Sequence, residues 1–161
     1  MLIGKTEGHI DQSIFAKEIL NQKKGPPPEI NLFNEKNNGE TVLKLINDGY
    51  VMSAHDVAMG GILVAVAKMC ISGNKGININ KPQSLINYFE YFFGEDQGRY
   101  LIEIKKKDLE KVKSVLKNSS VYFSEFGVIQ EKNILLKGKL NVTIEELINT
   151  NKKWLNKYMS N

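Results

Sequence analysis

The chain has 161 residues, of which 42% are hydrophobic and 25% charged, a balance typical of a globular protein with one core. No apolar stretch reaches the roughly 18 residues that a membrane-spanning helix needs, and the first ten residues lack the pattern of a signal peptide. We therefore expect a cytoplasmic protein. The net charge of +4 is spread along the chain, and acids interrupt its densest basic run, so nucleic acid is not an expected partner.

Two of the residue types that occur only once invite an interpretation. Cys70 falls in an apolar segment and has no second cysteine to pair with, which predicts a buried, unreactive thiol. Arg99 is the only arginine among 22 basic residues. Its planar guanidinium can pair with a carboxylate or a phosphate through two hydrogen bonds. It is therefore either a ligand-binding residue or a partner in a salt bridge.

The first part of the chain predicts a strand and two helices. The stretch "LIGKT" is typical of an edge strand or an extended lead-in, and "DQSIFAKEIL" has the spacing of a helix capped by Asp11 or Ser13. Three prolines after Gly25 predict an extended, exposed connection. A second helix is predicted over residues 31–48, with Gly49 at its end. Its inward residues are expected to be Val42, Leu43, Leu45 and Ile46.

Strands and helices then alternate. We predict strands at "YVMSA", "KGININ" and "YLIEI", a helix over residues 60–72, and a helix in "PQSLINYFEYFF" that begins near Pro82. The stretch "KKDLEKVKSVLKN" predicts an amphipathic helix. Its inward-facing residues are expected to be Leu109, Val112, Val115 and Leu116.

The C-terminal part predicts two paired strands and a helix. The stretches "SVYFSEFGVIQ" and "NILLKG" are expected to pair with each other across residues 131–133. Thr143 and Glu146 form the capping-box pattern of a final helix, and Trp154 and Tyr158 are expected to pack this helix onto the body. Taken together, the elements predict an α+β protein: one three-layer α/β/α domain over residues 1–161 with a mixed sheet.

The stretch "SAHDVAMGGILVAVAKM" is the first candidate site. His55 and Asp56 follow a predicted strand, and Gly60 and Gly61 leave backbone N–H groups free where a buried helix begins. Such N–H groups and the helix dipole attract anions. Alternatively, the glycines permit close helix packing and the His-Asp pair caps a turn. The residues alone leave both interpretations open.

The stretch "FFGEDQGRYLIEI" is the second candidate. Its glycine turn carries Glu95, Asp96 and Arg99, which could bind a polar ligand or form a local salt-bridge cluster. The sequence contains none of the metal-ligand, Walker A or nucleophile-elbow motifs that would indicate other chemistries.

These two stretches, together with "LIGKTEGHIDQSIFAKEI" and "GPPPEINL", occur in the order found in one family. The chain resembles the C-terminal domain of phosphoribosylformylglycinamidine synthase, in the superfamily of aminoimidazole ribonucleotide synthetase. The resemblance covers essentially the whole chain and implies the aminoimidazole ribonucleotide synthetase C-terminal fold. Four motifs in order are far more specific than any one of them.

The resemblance implies a role in purine biosynthesis. The family converts formylglycinamide ribonucleotide to its amidine with Mg-ATP and glutamine-derived ammonia, and its N-terminal-type domains carry the catalytic histidine and most ATP ligands. This chain alone is therefore expected to be inactive, with the other synthetase domains or the glutamine amidotransferase subunit as partners. Its expected substrate- or nucleotide-binding residues are Ser13, His55, Asp56, Gly60, Gly61, Glu95 and Arg99, with Asp56 a candidate magnesium ligand.

The sequence departs from the family pattern at three positions. Where the family motif reads H-D-x-S-D/E-G-G, this chain has Ala58 in place of the serine and Met59 in place of the second acid. The loss of this hydroxyl and this carboxylate is expected to weaken binding of phosphate or magnesium. Asp11 replaces a glycine of the family pattern. Two hypotheses remain open: a domain of a split synthase, or a non-catalytic remnant. Because an isolated domain exposes an apolar face, a homo-oligomer is also expected.

Overall fold

A computed structural model describes residues 1–82 and 86–160, with only the backbone of residues 155–157. The chain forms two compact units, Met1–Ala65 with Ser84–Glu125, and Val66–Gln83 with Phe126–Asn161. The α+β class is confirmed, but the described strands are divided between two sheets instead of forming one. The strands are β1 (Leu2–Ile3), β2 (Val51–Asp56), β3 (Gly76–Ile79), β4 (Tyr100–Ile104), β5 (Phe123–Ser124), β6 (Gly127–Gln130), β7 (Asn133–Leu136) and β8 (Leu140–Thr143). The helices are α1 (Ile14–Glu18), α2 (Leu32–Asn47), α3 (Gly61–Gly73), α4 (Tyr88–Phe93), α5 (Leu109–Asn118) and α6 (Ile144–Met159).

The sheet of the first unit is antiparallel, in the order β2-β4-β1-β5. β1 is therefore an interior strand, and the edge-strand alternative for the lead-in is wrong. Leu2 lies opposite Leu101 on one side and Ser124 on the other. Both residues of β1 are buried, because a strand between two others contributes to the middle of the core.

Helices α2 and α5 supply much of the first unit's core. Asn31 caps α2, and Gly49 takes the left-handed φ of +75° that was expected where the helix ends. Leu43 and Ile46 are exposed, so the inward stripe of α2 is narrower than predicted. The buried core of this unit comprises Ile3, Val42, Leu45, Ile102, Val112, Leu116 and Val121, with Val115 packed against it.

The sheet of the second unit is mixed, in the order β6-β3-β7-β8. β3 lies between β6 and β7, antiparallel to the first and parallel to the second. The predicted pairing of β6 with β7 is therefore wrong. β7 instead forms a hairpin with β8, which the sequence analysis missed, through a turn in which Gly138 has a φ of +72°. β6 and β7 are therefore neighbours in the sequence but not in the sheet, where β3 lies between them.

The predicted helix near Pro82 begins later than expected. Residues 83–85 lie outside the described part, and α4 starts at Tyr88 under a capping box made by Asn87 and Glu90. Pro82 is therefore not in its first turn. Cys70 on α3 is buried, as predicted.

The final helix α6 begins as predicted but does not pack as predicted. Thr143 and Glu146 form the expected capping box. Trp154 and Tyr158 are 65% and 68% exposed and stack on each other at 5.7 Å, so their predicted packing against the body is wrong. Within residues 1–82 and 86–160, no helix is long and apolar enough to cross a membrane.

Candidate functional site

Glu95 ties the two predicted ligand segments together. Its Oε1 accepts hydrogen bonds from the backbone N–H of Ile14 and from that of Gly60, each at 2.8 Å. The Gly60 N–H group, predicted to attract a ligand anion, therefore donates to a carboxylate of the protein itself. Charge-assisted bonds of this kind are stronger than neutral ones, so Glu95 holds the start of α1 against the turn that leads into α3.

The Gly60-Gly61 pair has a packing role in this arrangement. Both residues have positive φ, +85° and +70°, in the left-handed region that favours glycine. A Cβ on Gly61 would lie 2.6 Å from the carbonyl oxygen of Phe92 and 2.8 Å from that of Gly94. Because these are backbone atoms, a side chain has no room here. The structure thus supports the close-packing interpretation of the pair.

Ser13 is fully buried and caps α1. Its Oγ accepts a hydrogen bond from the N–H of Ala16 at 3.0 Å. The cap fixes where α1 begins and so directs the N–H of Ile14 at Glu95. Ser13 is therefore brought together with Glu95 and Gly60, as a structural residue of this junction.

Arg99 is only 1% exposed, and its guanidinium is used inside the protein. Nε donates to the carbonyl of Asp96 at 3.1 Å and Nη2 to the carbonyl of Gly94 at 2.7 Å, while Nη1 reaches Thr6 Oγ1 and the Asp96 carboxylate at 3.3 Å. Burial lowers the pKa of Arg99, and the carboxylate of Asp96 opposes that shift. The salt-bridge interpretation of this arginine is the one that the geometry supports.

Asp96 in turn holds the lead-in loop, which is the segment of residues 4–12 between β1 and α1. Its Oδ2 accepts the backbone N–H groups of Glu7 and Gly8 at 3.2 and 3.1 Å, and its Oδ1 accepts that of His9 at 2.9 Å. One carboxylate therefore satisfies three consecutive backbone donors. The sequence predicted Asp96 as a ligand-binding residue or a salt-bridge partner of Arg99, and it forms that salt bridge. Its bonds to the backbone of Glu7, Gly8 and His9 could not be predicted, because these residues lie almost ninety positions away in the sequence.

His55 and Asp56 lie at the end of β2, on the open edge of the first sheet. Nδ1 of His55 is 3.3 Å from the Asp56 carboxylate, whose side chain is 68% exposed. Asp56 lies opposite Tyr100, whose phenol has its pKa raised by burial and by the carboxylates of Glu35 and Asp56. With its side chain 68% exposed, Asp56 is the predicted binding residue most open to solvent.

In the described part, no group of three or more His, Cys, Asp or Glu side chains could hold a metal ion.

A cleft of about 490 Å3 lies elsewhere in the first unit, and sequence reasoning did not find it. Its walls come from the lead-in loop, the start of α2 and the Asp96-Gln97-Gly98 turn. None of the seven predicted binding residues lines it. The carboxylates and amides that do include Glu7, Asp11, Glu29, Asn34, Glu35, Asn38 and Gln97, beside Lys5 and His9. The sequence had marked some of these positions, because Asp11 departs from the family pattern and Pro28 and Glu29 lie in the motif "GPPPEINL", but it did not indicate that they line one cleft.

The fold and these motifs have a counterpart among known proteins. Residues 2–136 match a family model described as AIR synthase related protein, C-terminal domain. The chain belongs to this family. Its relatives include phosphoribosylformylglycinamidine synthase subunit PurL of Pelagibacter ubique, 58% identical over the whole chain, and that of Rhodopseudomonas palustris, 36% identical over 99% of it. The chain spans about a fifth of these relatives, 22% of the length in each case.

Solved structures of PurL proteins share the fold. The structure of T. maritima PurL complexed with FGAR matches with a TM-score of 0.75 at 19% identity, over 91% of this chain and 27% of that one. The complex of the same protein with ATP matches with a TM-score of 0.65 at 17% identity, over 91% and 24%. The family resemblance drawn from the sequence motifs is confirmed.

Proposed function

We propose that residues 1–161 act as one C-terminal domain of a phosphoribosylformylglycinamidine synthase, in the cytoplasm. The proposed reaction is the ATP-dependent amidation of formylglycinamide ribonucleotide with glutamine-derived ammonia, in purine biosynthesis. The observation that carries the proposal is the 58% identity to a PurL subunit over the whole chain. The Glu95 and Asp96–Arg99 junctions add support, because they hold the shared motifs in one defined geometry.

The domain is proposed to contribute binding surface rather than the reacting groups. Asp56 is exposed at the end of β2 and is suited to supply one oxygen ligand to magnesium, which proteins often hold through one or two carboxylates and the phosphates of a nucleotide. Mg-ATP is therefore the proposed cofactor of the assembled enzyme. The other synthetase domains and a glutamine amidotransferase subunit are the proposed partners.

A domain exchange tests this proposal. The matching fifth of the Pelagibacter PurL subunit is replaced by this chain, and ATP-dependent amidation is measured with that relative's partner subunits. We expect activity within about tenfold of the parent enzyme. A matched chimera with Asp56→Ala should lose nucleotide affinity, whereas one with Lys36→Ala, in an exposed ion pair on α2, should behave like the unsubstituted chimera.

The alternative of a non-catalytic remnant has its own observation. Met59 is 70% exposed where the family pattern has an acid, and Ala58 beside it lacks the usual hydroxyl. An inactive chimera that melts cooperatively and regains activity with Ala58→Ser and Met59→Asp would support the remnant. An inactive chimera that these reversions do not rescue would refute the proposed function.

A further inference from the structure

The segment from Ile19 to Pro28 follows α1 and contains no helix or strand. Residues 19–27 are all exposed, including the apolar side chains of Ile19 and Leu20. No apolar side chain of these nine residues is buried. Hydrophobic burial therefore contributes little to fixing the position of this segment, and its hydrogen bonds decide where it lies.

Side chains of the lead-in loop fasten the segment. Nε2 of Gln12 donates to the carbonyl oxygens of Lys23 and Gly25, at 3.3 and 3.1 Å. Nε2 of Gln22 donates to Oδ1 of Asp11 at 2.9 Å.

The next contact is also made by a side chain. Nε2 of His9 lies 3.0 Å from the carbonyl oxygen of Pro26. One backbone bond also holds the start of the segment, because the N–H of Gln22 donates to the carbonyl oxygen of Ala16 in α1 at 2.8 Å. The side-chain contacts beyond it come from a short stretch of loop or from the segment itself, so they can open together while the core stays packed.

Asp11 is the departure from the family pattern, and here it has a specific neighbour. A Cβ on Gly25 would overlap the Asp11 carboxylate, so the glycine makes room for it. Gly25 also has a φ of +123°, which other residues rarely adopt. The acid that replaces the family glycine is thus accommodated by the segment that it fastens.

The same residues line the cleft of the first unit. His9 and Asp11 line it, and so do Pro28 and Glu29 at the end of the segment. A movement of the segment therefore moves a wall of the cleft. We propose that residues 19–28 form a releasable strap, latched by Gln12 and the Asp11–Gln22 pair, which sets how open the cleft is. This proposal does not depend on the proposed function.

Two lysines inside the strap allow a direct test. Trypsin is expected to cleave after Lys23 or Lys24 faster when the strap is released, and cleavage after Lys137 in the β7–β8 turn serves as an internal reference. The variants Gln12→Glu and Gln22→Glu keep side-chain size and remove the donors. We expect each to speed strap cleavage about tenfold relative to Lys137, since each loses one or two hydrogen bonds.

Matched variants and a second measurement separate release from misfolding. Asp11→Asn keeps Oδ1 as acceptor and should cleave like the unsubstituted chain. Gln130→Glu removes a comparable donor to the Asn133 carbonyl in the second unit and should leave strap cleavage unchanged. In the two latch variants, amide hydrogen exchange should become faster only in residues 19–31, which are the strap and the cleft residues that follow it. Unchanged cleavage in both latch variants, or faster exchange throughout the first unit, would overturn the proposal.

Discussion

When the 161 residues are prepared as a separate chain that starts at Met1, the α-amino group of Met1 is expected to make the stability of that chain depend on pH. It donates to the carbonyl oxygen of Ile102 at 2.6 Å, in line with the β1–β4 ladder, and the N–H of Ile102 donates back to Met1 at 3.0 Å. Burial lowers the pKa of this amino group from 8.0 to about 6, although the carboxylates of Glu103 and Glu125 oppose the shift. The amino group thus occupies a position in the interior of a sheet, where burial disfavours its charged form.

The lowered pKa fixes the sign and size of the effect. Between pH 8 and pH 6 the unfolded chain binds the proton and the folded chain does not, so the free energy of unfolding falls as the pH falls. A drop in pKa from 8.0 to about 6 corresponds to a loss of about 2.7 kcal/mol in the free energy of unfolding. This loss is complete below pH 6 and absent above pH 8. That is a large share of the stability of an ordinary domain.

Acetylation of the Met1 amino group isolates this contribution. The acetylated chain keeps an N–H for Ile102 but has no proton to bind, and mass spectrometry verifies that Met1 is retained. Urea unfolding of both chains, followed by circular dichroism from pH 5.5 to 9, should give midpoints that agree above pH 8 and differ by about 1 M at pH 5.5. Parallel curves across the whole range would refute the reasoning, because the amino group would then be hydrated in the folded chain.

Three further predictions concern packing. Gly61→Ala should lower the free energy of unfolding by about 3 kcal/mol or more, because the new Cβ would meet backbone oxygens. Gly49 has a similar positive φ but no atom within 4 Å of a Cβ, so Gly49→Ala should cost only about 1 kcal/mol in the same urea assay. Arg99→Lys should cost about 3 kcal/mol in thermal unfolding, since an ammonium group cannot reach Asp96, Gly94 and Thr6 together; an unchanged melting temperature would contradict the buried role of the guanidinium. The isolated chain should self-associate, and Leu32→Ser with Phe33→Ser should reduce this in light scattering, because these side chains are 77% and 76% exposed; a monodisperse unsubstituted monomer at high concentration would refute it.

Local signals in the sequence predicted local structure well. Ser13, Gly49 and Thr143 end or begin helices as expected, because a cap needs only partners within three or four residues. The family motifs were also sufficient for family membership, since four short patterns in order rarely coincide by chance. Burial of Cys70 followed from the apolar segment around it.

The predictions that were wrong concern contacts between distant segments. β6 and β7 are separated by two residues in the sequence, yet β3 lies between them in the sheet. Trp154 and Tyr158 have the helical spacing of a packing face, but they stack on each other and remain exposed. Periodicity shows which residues share a face, and it does not show whether another segment covers that face.

The candidate site shows the same division. The sequence by itself indicated two segments as candidate sites, an acidic, glycine-rich turn with a single arginine and a Gly-Gly helix start. Only the tertiary structure decided that Glu95 closes onto Ile14, 81 residues away, and that Asp96 and Arg99 are used internally around the lead-in loop. The physical reason is that a carboxylate binds whichever donors the fold brings within about 3 Å, and that choice depends on packing across the whole unit.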